Sequence, residues 1–261
     1  MKRLLRTIIP AAGAGARMGL SYPKTLYSVA GAPILGHILS KVADLTDEVV
    51  VVVSPSGDAP VQAFLSSWHK ISVSTAVQHT PIGMADAVRK GINAFGPDNK
   101  YCDYLIIWGD QVTVHRETLE KVLLRHHATG AWLTFPTSFR RKPYIHVQRD
   151  EGGRVSDILE LREGDVLPDV GENDCGVFVA RGEVLAHGIE ELEAATWDER
   201  FSRYKRLNDR TSTTGEFNFL PLIGLWSCQG RLIEALPIAC EFETYGINTP
   251  DEAERIAGLI H

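Results

Sequence analysis

Much is scarce in this 261-residue sequence. Cysteine occurs four times, at Cys102, Cys175, Cys228 and Cys240, with no CxxC pair. That spacing offers no disulfide framework and fits a reducing cytoplasm, with the thiols as small core or surface residues. Nine histidines include the pair His126-His127 but no HExxH or HxH, so no zinc site is expected. No apolar run approaches the ~18 residues of a membrane-spanning helix. The longest, Val49 to Val53, is strand-sized. Arg6, Thr7 and Arg17 interrupt or closely follow Leu4, Leu5, Ile8 and Ile9, so no export signal is expected. A basic excess is missing too. The 27 Lys+Arg stand against 33 Asp+Glu, for a formal net charge of -6, and a pI of 5.9 argues against a nucleic-acid partner. Neither a Pro/Ser/Gly-rich linker nor an internal repeat divides the chain. With 44% hydrophobic and 23% charged residues, it reads as an ordinary globular protein with enough length for a sizeable core.

What is present begins with alternation. Strands are expected at Arg6 to Pro10, Glu48 to Ser54, Ile71 to Val77, Tyr104 to Trp108 and Ala131 to Phe135. Helices are expected between them at Pro33 to Leu45, Val61 to His69, Gly83 to Phe95 and Arg116 to His127. Such alternation predicts an α/β fold with a mostly parallel central sheet and helices on both faces. In these sheets ligands sit beyond the carboxyl ends of the strands, which makes Ala11–Met18, Gln78–Met84 and Gly109–Gln111 one neighbourhood. After Pro136 the pattern turns β-rich. A hairpin of Tyr144 to Arg149 and Arg154 to Leu159 turns at Asp150 to Gly153. Cys175 to Ala180 and Ile238 to Glu241 read as strands, and Val184 to Ala194, Phe217 to Trp226 and Pro250 to Ile260 as helices. The expectation is one domain over residues 1–261, with a small β-rich substrate region appended to its first half.

The densest chemical signal is the stretch Ile8-Ile9-Pro10-Ala11-Ala12-Gly13-Ala14-Gly15-Ala16-Arg17-Met18-Gly19, followed by Pro23-Lys24. Small residues let backbone N–H groups approach phosphates, and Arg17 and Lys24 add the charge that glycine lacks. A tight strand-to-helix turn is the plain alternative. A dinucleotide loop is disfavoured, because the next strand ends in Ser54-Pro55 rather than in a ribose-binding acid, and Met18 replaces the third glycine. A Walker A loop is excluded, since GxxxxGK[ST] does not occur.

The loop resembles the AAGxGxRM…PK signature of the nucleotidyltransferases that join an NTP to a sugar phosphate or related phosphate. Gln78 to Ala87 is similar to the segment with which uridylyl- and thymidylyltransferases of that family recognise a pyrimidine, and Ile106 to Asp110 resembles its metal-holding strand end. Asp157 to Arg162, Asp174-Cys175-Gly176 and Gly246 to Thr249 follow in the family's order. The resemblance implies that Ala11, Ala12, Gly13, Ala14, Gly15, Gln78, Gly83 and Met84 bind the nucleotide. Glu160, Arg162 and Asp174 would bind the acceptor, and Asp110 and Asn248 would hold Mg²⁺ through hard oxygens. Arg17 would neutralise the leaving phosphates and Lys24 would bridge donor and acceptor phosphates. Residues 1–136 would then form the nucleotide-binding half and 137–261 the acceptor-binding half. The implied partners are an NTP and a phosphorylated small-molecule acceptor, with neither nucleic acid nor membrane, and with homo-oligomerisation left open.

Departures from the pattern leave alternatives. Ala16 replaces the usual hydroxyl residue of the loop, Met84 stands where Thr is common in uridylyltransferases, and Asp174 stands where Asn is common. Pro10 to Gly19 is also similar to cytidylyltransferases, although their Asp-Ala-Ala-Arg-Pro segment is absent. Gln78 could match the N3–H and a carbonyl of uracil or thymine, and would need a flipped amide for cytosine. UTP or dTTP is therefore expected ahead of CTP, and pyrimidines ahead of purines. A catalytically silent nucleotide-sensing relative is the remaining alternative.

Overall fold

Runs of aliphatic residues in the first half build a sheet one strand at a time. The computed structural model describes residues 3–13, 15–97, 101–207 and 212–260. It begins with β1 (Leu4–Pro10), the two-residue ribbon β2 (Ser28–Val29) and β3 (Ala32–Pro33), and α1 (Ile34–Val42). Next come β4 (Glu48–Val53), α2 (Pro55–Leu65), β5 (Val73–Val77), α3 (Met84–Ala94), β6 (Cys102–Ile107) and α4 (Arg116–Thr129). The second half holds β7 (Leu133–Arg141), β8 (Ile145–Arg149), β9 (Val155–Glu160), β10 (Val170–Asp174), β11 (Val177–Arg181) and α5 (Gly182–Thr196). A second ribbon, β12 (Trp197–Asp198) and β13 (Arg203–Tyr204), precedes α6 (Pro221–Cys228), β14 (Ile233–Leu236) and α7 (Pro250–Ala257).

Eight strands form the main sheet. β5, β4, β1 and β6 pair in that order, all parallel. β11 joins β6 and β7 as an antiparallel neighbour of both, β14 runs parallel to β7, and β10 pairs antiparallel with it. Alternate residues feed opposite faces, as the period of two demands. Ile8, Val50, Val52, Tyr104 and Ile106 pack with α3, α5 and α6. Ile9, Val49, Val51, Leu105 and Ile107 pack with α1, α4 and α7. The expected α/β class with both faces covered is what the chain adopts. Because β4 and β6 flank β1 on opposite sides, the chain reverses its winding at β1. The crevice beyond the carboxyl ends of β1 and β6 is thus a topological switch point, the place where open α/β sheets bind their ligands.

Several elements differ from their expected form. α2 starts at Pro55 because Ser54 caps it, accepting from Gly57 N at 3.2 Å, with Pro55 in the first turn. β7 continues past Pro136 through Arg140 and Arg141, since β10 pairs with it there. The strand expected at Ile238 to Glu241 lies earlier, at Ile233–Leu236, where Pro237 stops it. The helix expected from Phe217 begins only at Pro221, and residues 212–218 are an irregular loop. The β8–β9 hairpin stands as a separate two-stranded sheet, its turn closed by Gly153 N on Asp150 O at 2.9 Å.

A candidate nucleotidyl-transfer cleft

The loop after β1 is fixed by its neighbours. Ala11 N donates to Val52 O at 2.7 Å, and Gly109 N donates to Pro10 O at 3.0 Å. A β-carbon at Gly109 would stand 2.7 Å from Pro10 O, so the glycine lets the ends of β1 and β6 close up. Next to it, Asp110 faces an open cleft of about 690 Å³. Ala11, Gly13, Gly15, Arg17, Lys24 and Met84 line this cleft on the nucleotide side. Ala12 turns into the core instead, and Ala14 lies outside the described residues.

Three segments far apart in the chain meet at the mouth of the cleft. Lys24 Nζ donates to Asp110 Oδ2 at 2.8 Å, to Ile247 O at 2.9 Å and to Asn248 Oδ1 at 3.3 Å. Arg17 donates to the same Asn248 oxygen at 2.9 Å. Asn248 is free for this because the helix cap before Pro250 belongs to its neighbour. Thr249 and Glu252 form a reciprocal capping box, and Glu252 also accepts from Asn248 N at 2.7 Å. The Asp110 and Asn248 segments are further tied by Ile247 N on Asp110 O, Gln111 Nε2 on Glu243 O and Thr113 Oγ1 on Tyr245 O. Glu243, which is buried, accepts from His115 N and Cys240 N and braces the same junction.

The other end of the cleft holds Tyr144, Glu160, Arg162, Asp174 and Asn218. Glu160 is buried. It accepts from Asn218 Nδ2 and from Arg162 Nε, the latter at 3.3 Å, and burial pushes its carboxyl up from the ordinary value despite the cation. Asp174 is 5% exposed and its Oδ1 accepts from Gly176 N at 2.6 Å. Burial, partly offset by backbone hydrogen bonds, raises its carboxyl to about 6. Glu163 anchors the loop that carries Asn218. Burial would raise its carboxyl, but donors from Thr214, Ser212 and Thr213 outweigh it and hold the group below the usual range.

Gln78 and Gly83 are placed differently from the expectation. Gln78 is buried beneath the cleft, and its amide donates to Gly83 O at 3.1 Å and Asp86 Oδ2 at 2.9 Å. Both amide hydrogens, the one expected on a base carbonyl included, are spent on the protein. Gly83 has φ 141°, and a β-carbon there would lie 2.3 Å from Phe217 O. The missing side chain makes room for the backbone of Phe217, which donates to Ile82 O and accepts from Ala85 N. Sequence reasoning missed Trp108, Tyr144 and Asn218. Trp108 and Tyr144 read as strand residues, and Asn218 falls in a stretch that reads as helix but becomes one only at Pro221.

A model of the MobA-like NTP transferase domain matches residues 7–171. The bifunctional protein GlmU of Alkalilimnicola ehrlichii is 28% identical over 253 residues, covering 95% of this chain and 49% of the relative. GlmU of Bordetella petrii is 27% identical over 246 residues, covering 94% and 50%. That of Bacillus cytotoxicus is 26% identical over 244 residues, covering 92% and 48%. The chain spans about half the length of the curated relatives it matches. Among the described residues no helix is long and apolar enough to cross a membrane. With the parallel sheet, the small-residue loop and the cleft at the switch point, this match places the chain in the MobA-like NTP transferase family of nucleotidyltransferases.

Proposed function

We propose that this protein transfers a nucleotidyl group from an NTP to a phosphorylated acceptor and releases pyrophosphate. The observation that carries the reading is the convergence of Arg17, Lys24, Asp110 and Asn248 at the cleft mouth. Asp110 and Asn248 offer a carboxylate and an amide oxygen to one shared cation, the Lys24 ammonium. That donor set suits Mg²⁺, which prefers hard oxygens and keeps several waters. Bound there, the metal would supply charge neutralisation on the phosphates.

An acceptor phosphate oxygen attacks the α-phosphorus, forming a new P–O bond, and the bond from that phosphorus to the pyrophosphate oxygen breaks. The acceptor is already ionised, so no residue needs to take a proton from it. The protein's task is positioning and neutralisation. Backbone N–H groups of the small-residue loop that follows Ala11 bind the triphosphate, Arg17 neutralises the leaving pyrophosphate, and Lys24 bridges donor and acceptor phosphates. Glu160, Arg162 and Asp174 hold the acceptor, and residues 137–261 supply that half of the site. Met84 borders the base, and Gln78 and Gly83 set the backbone beside it. The reading includes a pyrimidine NTP as donor and a sugar phosphate as acceptor.

The engaged amide of Gln78 favours a second reading for the base. With its hydrogens on Gly83 and Asp86, it no longer selects uracil over cytosine, so CTP with a polyol phosphate or phosphonate becomes an equal donor–acceptor pair. Pyrophosphate release, measured with each of five nucleotides, Mg²⁺ and a panel of sugar, polyol and phosphonate acceptors, tests both. Preference for a pyrimidine supports the reading, preference for ATP or GTP contradicts it, and no release with any pair favours a silent relative.

A further inference from the structure

The two ends of the cleft differ in charge. At the phosphate end Arg17 and Lys24 are balanced by Asp110 and Glu252, while Glu160, Asp174 and Glu216 line the acceptor end with Arg162 as the cation among them. Arg162 is already shared, with Glu160 at 3.3 Å and Glu216 at 3.4 Å. Asp174 has no ion pair among the described residues. Its carboxylate accepts only from backbone N–H groups among the described residues, that of Gly176 at 2.6 Å and its own, and it opens into the cleft while nearly fully buried. A buried carboxylate without a counter-charge is costly. Two aromatic rings border the same space. Gly176 has φ 66°, and a β-carbon there would stand 2.8 Å from Trp108 Cδ1, so the glycine lets the indole lie close to the turn that follows Asp174. Tyr144, 48% exposed, lines the same cleft. Carboxylates and aromatic faces together attract a cation more than a neutral hydroxyl.

We infer that the acceptor carries an ammonium group besides its phosphate or phosphonate, and that Asp174 is the counter-charge, with Trp108 and Tyr144 bounding the pocket. This rests on the transfer reaction proposed above. It narrows the acceptor to aminated phosphates, such as an amino-sugar phosphate or an amino-alcohol phosphate or phosphonate, and makes Asp174 a specificity determinant.

The test compares isosteric pairs: glucosamine 1-phosphate against glucose 1-phosphate, and O-phosphoethanolamine against 2-hydroxyethyl phosphate. Binding is measured by calorimetry on the full chain with Mg²⁺ and an α,β-methylene analogue of UTP, then of CTP. The amino member of at least one pair should bind at least about tenfold more tightly, as expected when a desolvated charge pair is made or lost. Asp174→Asn, which keeps the acceptor oxygen for Gly176 N, should remove that preference. Equal or absent binding of both amino members to the wild-type protein would overturn the inference, and so would a preference unchanged in Asp174→Asn. Pyrophosphate release, assayed in parallel, separates the two proposals. Release with hydroxy acceptors alone would uphold nucleotidyl transfer and sink the ammonium. Amine-selective binding with no release from any NTP would uphold the ammonium and sink the transfer reaction.

Discussion

Replacing Gly83 by alanine separates a folding role from a base-binding role at that position. With φ 141° and ψ 177° it occupies a backbone region essentially reserved for glycine. An added β-carbon would stand 2.3 Å from Phe217 O and 2.6 Å from both Phe217 C and N. These are backbone atoms and cannot rotate away. Backbone strain of this kind costs ~1–3 kcal/mol, and overpacking adds ~1–3 kcal/mol. Gly83→Ala should therefore lose about 2–6 kcal/mol, a large share of the ~5–15 kcal/mol typical of a folded domain. Relief by moving residue 217 would break the bonds from Phe217 N to Ile82 O and from Ala85 N to Phe217 O. Urea unfolding followed by circular dichroism reads the loss as a lower midpoint at unchanged slope. Wild-type stability together with weakened NTP binding would refute the packing argument and return Gly83 to a direct base contact.

Three further predictions follow the same geometry. Lys24→Gln should lower kcat by about 10²–10³-fold, because a preorganised charge is lost from the transition state; unchanged kcat in a pyrophosphate assay would remove Lys24 from the reaction. Glu160→Ala should raise the acceptor KM more than the NTP KM, whereas equal effects on both would reduce Glu160 to a structural partner of Asn218 and Arg162. His126 is buried, and burial first, then His127, Arg181 and Arg3, depress its imidazole from 6.5 to about 3. The unfolded chain takes up that proton first, so this contribution to stability is present above pH 6.5 and is lost as the pH falls towards 3. Between pH 6.5 and 5 the loss is about 1.5 kcal/mol, and His126→Gln should flatten it. Asp174, raised to about 6, works the opposite way between there and 3.8, so the comparison is wild type against variant at each pH.

The sequence made the parallel half of the fold legible because each strand there is a short aliphatic run bounded by turn residues. β4, read almost to the residue, is five consecutive valines after Glu48. The second half was less legible for physical reasons. β10 carries Glu172, Asn173 and Asp174, which are buried through tertiary hydrogen bonds and an ion pair from Arg149 to Glu172 at 2.6 Å. No periodicity of apolar residues announces such a strand. Of the candidate site, Arg17, Lys24, Asp110 and Asn248 are named by the family resemblance, and the fold brings them into contact. Gln78 and Gly83 sit in a recognisable segment, but their hydrogen-bond and packing partners come from Asp86 and Phe217, which spacing alone does not link to them. Thr249, not Asn248, caps α7; both residue types cap helices well, so only the three-dimensional structure distinguishes them.

Nucleotidyl transfer at the junction of Asp110 and Asn248 is tested most directly by Mg²⁺-dependent pyrophosphate release from wild-type protein and Asp110→Asn, with unfolding midpoints measured on the same samples. The account predicts release by the wild type that stops in EDTA. It also predicts a fall of at least about a hundredfold in the folded variant, the effect of losing one preorganised electrostatic contact. Wild-type turnover in Asp110→Asn, or release that persists in EDTA, would contradict it.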